Sequence, residues 1–198
     1  MQINLISKNV QILNLWNDLF HSYDNVKIYN NTIFSIKSDA ICAPGNSFGI
    51  MDGGLDLSIS MKYGYEFQKD ILKKIQNDYY GEISVGNAFL VKTFDGNSVI
   101  YSPTMRVPMI LPKKSLNAYF AFRAALICAR QSSIKSINIP AFCTGVGQMD
   151  AKKCVFQMHE AYKNIILDGY KNNFTNWMDV QKSHNELLQV KNKDIQYK

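Results

Sequence analysis

Short apolar runs alternate along this chain with longer stretches whose apolar residues recur at helical spacing, and that alternation most narrows the folds open to it. Runs of the first kind stand at residues 2–6, 26–29, 40–43, 87–93, 98–102 and 136–141. Helical patterns stand at 9–22, about 54–78, 115–131 and 150–168. Over 9–22, Val10, Leu13, Trp16, Leu19 and Phe20 share a face; from about 54 to 78, Phe67, Ile71, Leu72, Ile75 and Tyr79 do. Residues 115–131 read as a buried helix with Ser115 as its N-cap, and 150–168 as a helix opened by Asp150. "FDGN" links the runs at 87–93 and 98–102, and its Asp95-Gly96 is a hairpin signal. Strands alternating with helices imply an α/β protein, a layered sheet covered by helices on both faces. Such sheets bind ligands at the carboxyl ends of their strands.

A chain of 198 residues fits one domain, and 46% hydrophobic with 19% charged residues places it far from disordered compositions. The net charge of +6 invites a nucleic-acid reading. Yet the Lys and Arg residues are scattered singly or in pairs (Lys73-Lys74, Lys113-Lys114, Lys152-Lys153) with no aromatic residues interleaved. The basic balance therefore reads as a general affinity for anions. Cys42, Cys128, Cys143 and Cys154 lie inside apolar stretches, as small core residues of a reducing compartment do. There is no CxxC or HxxxH, and His21, His159 and His184 stand far apart, so no metal site is expected. "MQINLIS" lacks the features of a signal peptide and no apolar run is long enough to span a bilayer, which gives a cytoplasmic expectation with no membrane partner. From 171 to 198 the chain turns polar, and it reads as an extension to a domain at 1–170: a short helix packed by Trp177, then a frayed end.

Two glycine-rich stretches, 44–54 and 144–147, each follow an apolar run and precede a helical pattern. Backbone N–H groups of a glycine loop, with the free N–H groups of a helix's first turn, make a cradle for phosphate. Either loop alone reads most plainly as a tight turn, and neither is a GxGxxG fingerprint or a Walker A sequence. The pair, at equivalent strand ends, suits a diphosphate. Asn46 alone would be a turn former, and Asp56 alone a first-turn carboxylate favoured by the helix dipole. A carboxylate beside a phosphate cradle repels the ligand the cradle attracts, so its place there calls for another role, such as holding a water or a sugar hydroxyl.

"DAICAPGNSFGIMDGGLDLSIS" and "IPAFCTGVGQM" together resemble the macro domain family, which binds ADP-ribose, and the resemblance extends over residues 1–168. It implies a three-layer α/β/α sandwich with a mixed central sheet. It also implies that Asn46 bonds the distal ribose hydroxyls, and that Gly53 and Gly54 let the backbone close around the diphosphate. Asp56 would position the water that attacks the anomeric carbon. Thr144, Gly145, Val146 and Gly147 match the second phosphate loop, and Met149 falls where many members place an aromatic ring. Asn31-Thr32-Ile33 stands where many members have Gly-Asp-Ile at the adenine, so Thr32 offers an uncharged acceptor there with Ile33 beside it. Arg106 in "SPTMRVPM" has two readings, a phosphate or substrate contact and a surface salt bridge.

The implied activity is hydrolysis of the bond between ADP-ribose and a modified protein or nucleic acid, with no cofactor. Partners are then ADP-ribose or an ADP-ribosylated macromolecule, nucleic acid entering only as a modified substrate. The alternatives are a non-catalytic reader or sensor of ADP-ribose or a related NAD-derived nucleotide, and a phosphatase acting on ADP-ribose 1''-phosphate. A basic nucleic-acid-binding module comes from another class. A cysteine or serine hydrolase would need a base, and no histidine is near Cys143 or Ser47 in sequence.

Overall fold

Successive side chains of a strand point to opposite faces, and here both faces are apolar, so the strands serve two cores at once. In β3 (Ala40–Ala43), Ala40 and Cys42 join one core while Ile41 and Ala43 join the other. In β5 (Ser98–Tyr101), Ile100 faces the first core and Val99 and Tyr101 the second. A strand buried on both sides needs a helical layer over each face, and the computed structural model, which describes residues 1–171 and 174–189, has both.

The remaining elements are β1 (Gln2–Ser7), α1 (Val10–Phe20), β2 (Val26–Asn30), α2 (Gly54–Tyr63), α3 (Tyr65–Asp78) and β4 (Phe89–Lys92). After β5 come α4 (Asn117–Gln131), β6 (Ser136–Ile139), α5 (Ala151–Ile165) and α6 (Trp177–Leu188). The sheet order is β2-β1-β6-β3-β5-β4, parallel throughout except for β4, which runs antiparallel to β5. Helices α1, α4 and α5 cover the first core, with Trp16, Phe20, Phe122 and Tyr162 fully buried in it. Each such side chain contributes about 1.5–3 kcal/mol by leaving water. Helices α2 and α3 cover the second core through Ile59, Tyr63, Phe67, Ile71 and Ile75. The fold is the three-layer α/β/α sandwich with a mixed sheet.

Several boundaries differ from the sequence expectation. The single helix expected over 54–78 is two helices, because Gly64 has φ 86° and ψ 171°, a conformation closed to residues with a side chain. Ser115 stands two residues ahead of α4, its hydroxyl accepting from the Asn117 N–H at 3.1 Å rather than capping from the N-cap position. Asp150 caps α5 as expected, accepting from the Lys153 N–H at 3.0 Å. The hairpin joins β4 and β5 through residues 93–97, with the Thr93 N–H donating to Asn97 O and Gly96 at φ 81°. At α6 the buried residues are Leu187 and Leu188, while Trp177 is largely exposed; Gln157 Nε2 donates to Leu187 O at 3.1 Å. The frayed end expected after that helix falls at 190–198, outside the described residues. Among the described residues no helix is long and apolar enough to cross a membrane.

One consequence of the strand order places the site. β6 and β3 are parallel neighbours, with Ala40 opposite Ile137 and Ile41 opposite Asn138. The chain leaving β3 enters α2 on one face of the sheet, whereas the chain leaving β6 enters α5 on the other. Two adjacent strands whose connections part to opposite faces leave a crevice at their carboxyl ends, where open α/β sheets take their ligands.

Candidate functional site

The crevice is a cavity of about 420 Å³, and both glycine loops line it. Asn46, Gly53, Gly54 and Asp56 come from the first loop and the start of α2; Thr144, Gly145, Val146 and Gly147 come from the second. Ile6 and Ser7 at the end of β1, with Pro140 and Ala141 after β6, extend it along the sheet's rim.

The first loop is held by its own side chains and by β5. Asn46 Oδ1 accepts from the N–H of Phe48 at 3.0 Å and of Ile50 at 3.4 Å, and its Nδ2 donates to Ile50 O at 2.7 Å. This is the local turn an asparagine favours. Beneath it the fully buried Tyr101 hydroxyl donates to Asn46 O at 2.8 Å and accepts from the Asn46 N–H at 3.1 Å. The pairing continues past β5, with the N–H of Ser102 donating to Ala43 O, of Thr104 to Gly45 O, and of Ser47 to Arg106 O. Gly45 permits this approach: a Cβ there would lie 2.2 Å from the Tyr101 hydroxyl. Sequence reading missed Tyr101, because a tyrosine in an apolar strand signals only core.

Gly53 is the N-cap of α2 and supplies no side-chain cap, so the first-turn N–H groups are left for whatever enters the crevice. In the second loop, the N–H of Met149 donates to Cys143 O and the N–H of Gln148 to Gly145 O. Among the described residues, the N–H groups of Thr144, Gly145, Val146 and Gly147 make no backbone hydrogen bond. Both edges of the crevice therefore carry N–H groups without a backbone partner among the described residues, the kind of donor that can bind phosphate oxygens.

Asp56, in the first turn of α2, lines the cavity. Its Oδ1 is closed to solvent without a hydrogen-bond partner among the described residues. Burial, with a smaller contribution from the like charge of Asp52, raises its pKa from 3.8 to about 7. Asp56 in turn helps hold the buried Cys42 thiol and Tyr101 hydroxyl in their neutral forms, for which burial is the larger cause. Burial likewise pushes Cys143 up to about 12, which leaves it a poor nucleophile.

Three residues named for the ligand do not line this cavity. Thr32 is exposed, with Oγ1 2.6 Å from Ser35 Oγ. Ile33 is buried in the second core, and its carbonyl accepts from Asn138 Nδ2 at 3.0 Å. Met149 packs in the first core. Arg106 makes the salt bridge of its two readings, a fork on Glu82 at 2.7 and 3.0 Å, with its guanidinium 5.1 Å from the Phe48 ring centre. Asp52, Thr104, Met105 and Pro108 also line the cavity and were not singled out from sequence as ligand contacts.

A family model described as Macro domain matches residues 42–158. An uncharacterized protein of Aquifex aeolicus (strain VF5) is 33% identical over 127 residues, 62% of this chain and 72% of the relative. One of Aeropyrum pernix is 30% identical over 115 residues, so the chain spans 57% of that relative's length. Among solved structures, the macrodomain of Mycobacterium tuberculosis DarG superposes with TM-score 0.58 at 21% identity, over 68% of this chain and 87% of that one. A variant of the Oceanobacillus iheyensis macrodomain with ADPR gives TM-score 0.55 at 17% identity, over 72% and 91%. At such identities the structural likeness concerns the fold.

Proposed function

This chain belongs to the macro domain family, and on that premise we propose that it binds ADP-ribose in the crevice and hydrolyses the bond joining its distal ribose to a modified macromolecule. The observation that carries this reading is the meeting of both glycine loops in one cavity. The diphosphate lies across the N–H donors of the second loop and of the first turn of α2, and the distal ribose lies toward Asn46. The Oceanobacillus iheyensis macrodomain with ADPR supports ADP-ribose as the ligand.

The chemistry follows from Asp56. Hydrolysis at an anomeric carbon passes through an oxocarbenium-like transition state. An ionised Asp56 accepts a hydrogen bond from the attacking water and takes its proton as the new C–O bond forms and the bond to the macromolecule breaks. A carboxyl with a pKa of about 7 suits that task near neutral pH. Asn46 contributes by fixing the turn on which the ribose rests, since its amide is engaged with Phe48 and Ile50.

The test is Asp56→Ala assayed on mono-ADP-ribosylated protein, with ADP-ribose release measured beside ADP-ribose binding. The expected result is turnover reduced by about 10²- to 10⁴-fold with binding retained. Hydrolysis at the wild-type rate removes Asp56 from the mechanism. Binding by the wild type without any product leaves a reader of ADP-ribose.

A further inference from the structure

Residues 105–111 are strapped to both glycine loops. Met105 forms a bridge with Asn46, Arg106 O accepts from the Ser47 N–H at 3.1 Å, and the Leu111 N–H donates to Gly147 O at 3.0 Å. Between these anchors Val107, Pro108, Met109 and Ile110 are all exposed. Ile50 of the first loop and Val146 of the second add to the same rim. The five large side chains among these six residues are between 41% and 63% exposed. Four consecutive exposed apolar residues are unfavourable in water unless something covers them, and such patches mark contact surfaces. Pro108, Ile50 and Val146 also line the cavity, so the apolar run begins at its mouth.

We propose that this collar receives the polypeptide of an ADP-ribosylated protein. The inference rests on the reading that ADP-ribose fills the crevice with its distal ribose toward Asn46. Whatever is attached to that ribose then leaves beside Met105 and passes over Val107–Ile110. Charge distinguishes the two kinds of attached macromolecule. A nucleic-acid strand is held by cations along its phosphates. The cation that opens the run, Arg106, spends its fork on Glu82 and stacks on Phe48. Lys113 and Lys114 follow only after Pro112. An apolar rim whose leading cation is already paired fits the mixed surface of a protein better than a phosphodiester backbone.

The experiment compares wild type with the triple variant Val107→Ser, Met109→Ser, Ile110→Ser. Affinities are measured for free ADP-ribose, a mono-ADP-ribosylated protein and a mono-ADP-ribosylated oligonucleotide, each at low and high salt. The wild type is expected to hold the modified protein about 10-fold more tightly than free ADP-ribose, and the triple variant to lose that margin while binding free ADP-ribose as before. Retained affinity for the free ligand also shows that the variant is folded. Equal wild-type affinity for free and protein-linked ADP-ribose overturns the proposal. So does an equal loss of free ADP-ribose binding in the variant, which makes the run a cover for the ligand itself. Tighter, steeply salt-dependent binding of the oligonucleotide makes the partner a nucleic acid and overturns it as well, as does a wild-type dimer that the triple variant dissolves. Failure of the wild type to bind free ADP-ribose refutes the underlying reading, and the collar with it.

Discussion

Replacing Asp56 by asparagine removes a titration while keeping the side chain's shape, and the consequence for stability has a definite sign. The folded protein holds a proton on Asp56 far more tightly than an unfolded chain does, because the carboxyl is buried, with Oδ1 unpartnered, and feels Asp52. A raised carboxylate pKa gives a contribution that is complete below the unfolded value of 3.8 and is lost as pH climbs to about 7. At 1.36 kcal/mol per pH unit, the full loss amounts to about 4 kcal/mol. Asp56→Asn escapes it. Urea unfolding followed by the fluorescence of Trp16, which is fully buried in the first core, measures both proteins. The stability of Asp56→Asn relative to wild type should rise by about 1.4 kcal/mol per pH unit between about pH 4 and pH 7, then level off. A difference that stays constant over that range refutes the reasoning, since it means the folded state does not bind this proton preferentially.

Other perturbations read the loops that carry the ligand. Gly45→Ala places a Cβ 2.2 Å from the Tyr101 hydroxyl and should break the Asn46–Tyr101 pair, lowering stability by about 1–3 kcal/mol and weakening ADP-ribose binding by calorimetry. Tyr101→Phe should show the same loss without the clash, so if both variants bind ADP-ribose with wild-type affinity the tyrosine does not hold the loop. Gly147→Ala sets a Cβ 2.6 Å from Cys143 O, a backbone atom that moves only with the second loop. It should weaken ADP-ribose binding by about 10-fold or more while the melting temperature changes by a few degrees, and unchanged affinity separates that loop from the phosphates.

What the amino-acid order disclosed depended on whether the physics was local. The strands were legible because each is an apolar run between turn residues, and α5 because Asp150 caps it. The break at Gly64 was not: Phe67, Ile71 and Ile75 keep helical spacing after it, and a glycine inside a helical pattern carries a weak signal. The two glycine loops were visible as compositions, and their likeness to one family gave them roles. That they share a cavity comes from β6 lying beside β3 with the following helices on opposite faces, a long-range outcome that no window of sequence contains. Arg106 was ambiguous for a related reason, because its partner Glu82 is separated from it by two strands. The exposed run at 107–110 was not singled out, since apolar residues in a sequence do not announce whether they are covered.

The central claim is that the crevice between the loops takes ADP-ribose, and thermal unfolding with increasing ADP-ribose, set beside AMP and NAD, tests it most directly. A ligand bound only by the native state at 100 times its dissociation constant adds about 2.7 kcal/mol. For a domain of this size that raises the melting temperature by about 5–10 °C. The account predicts such a rise with ADP-ribose and a smaller one with AMP, which lacks the distal ribose and one phosphate. A melting temperature that does not move with millimolar ADP-ribose contradicts it.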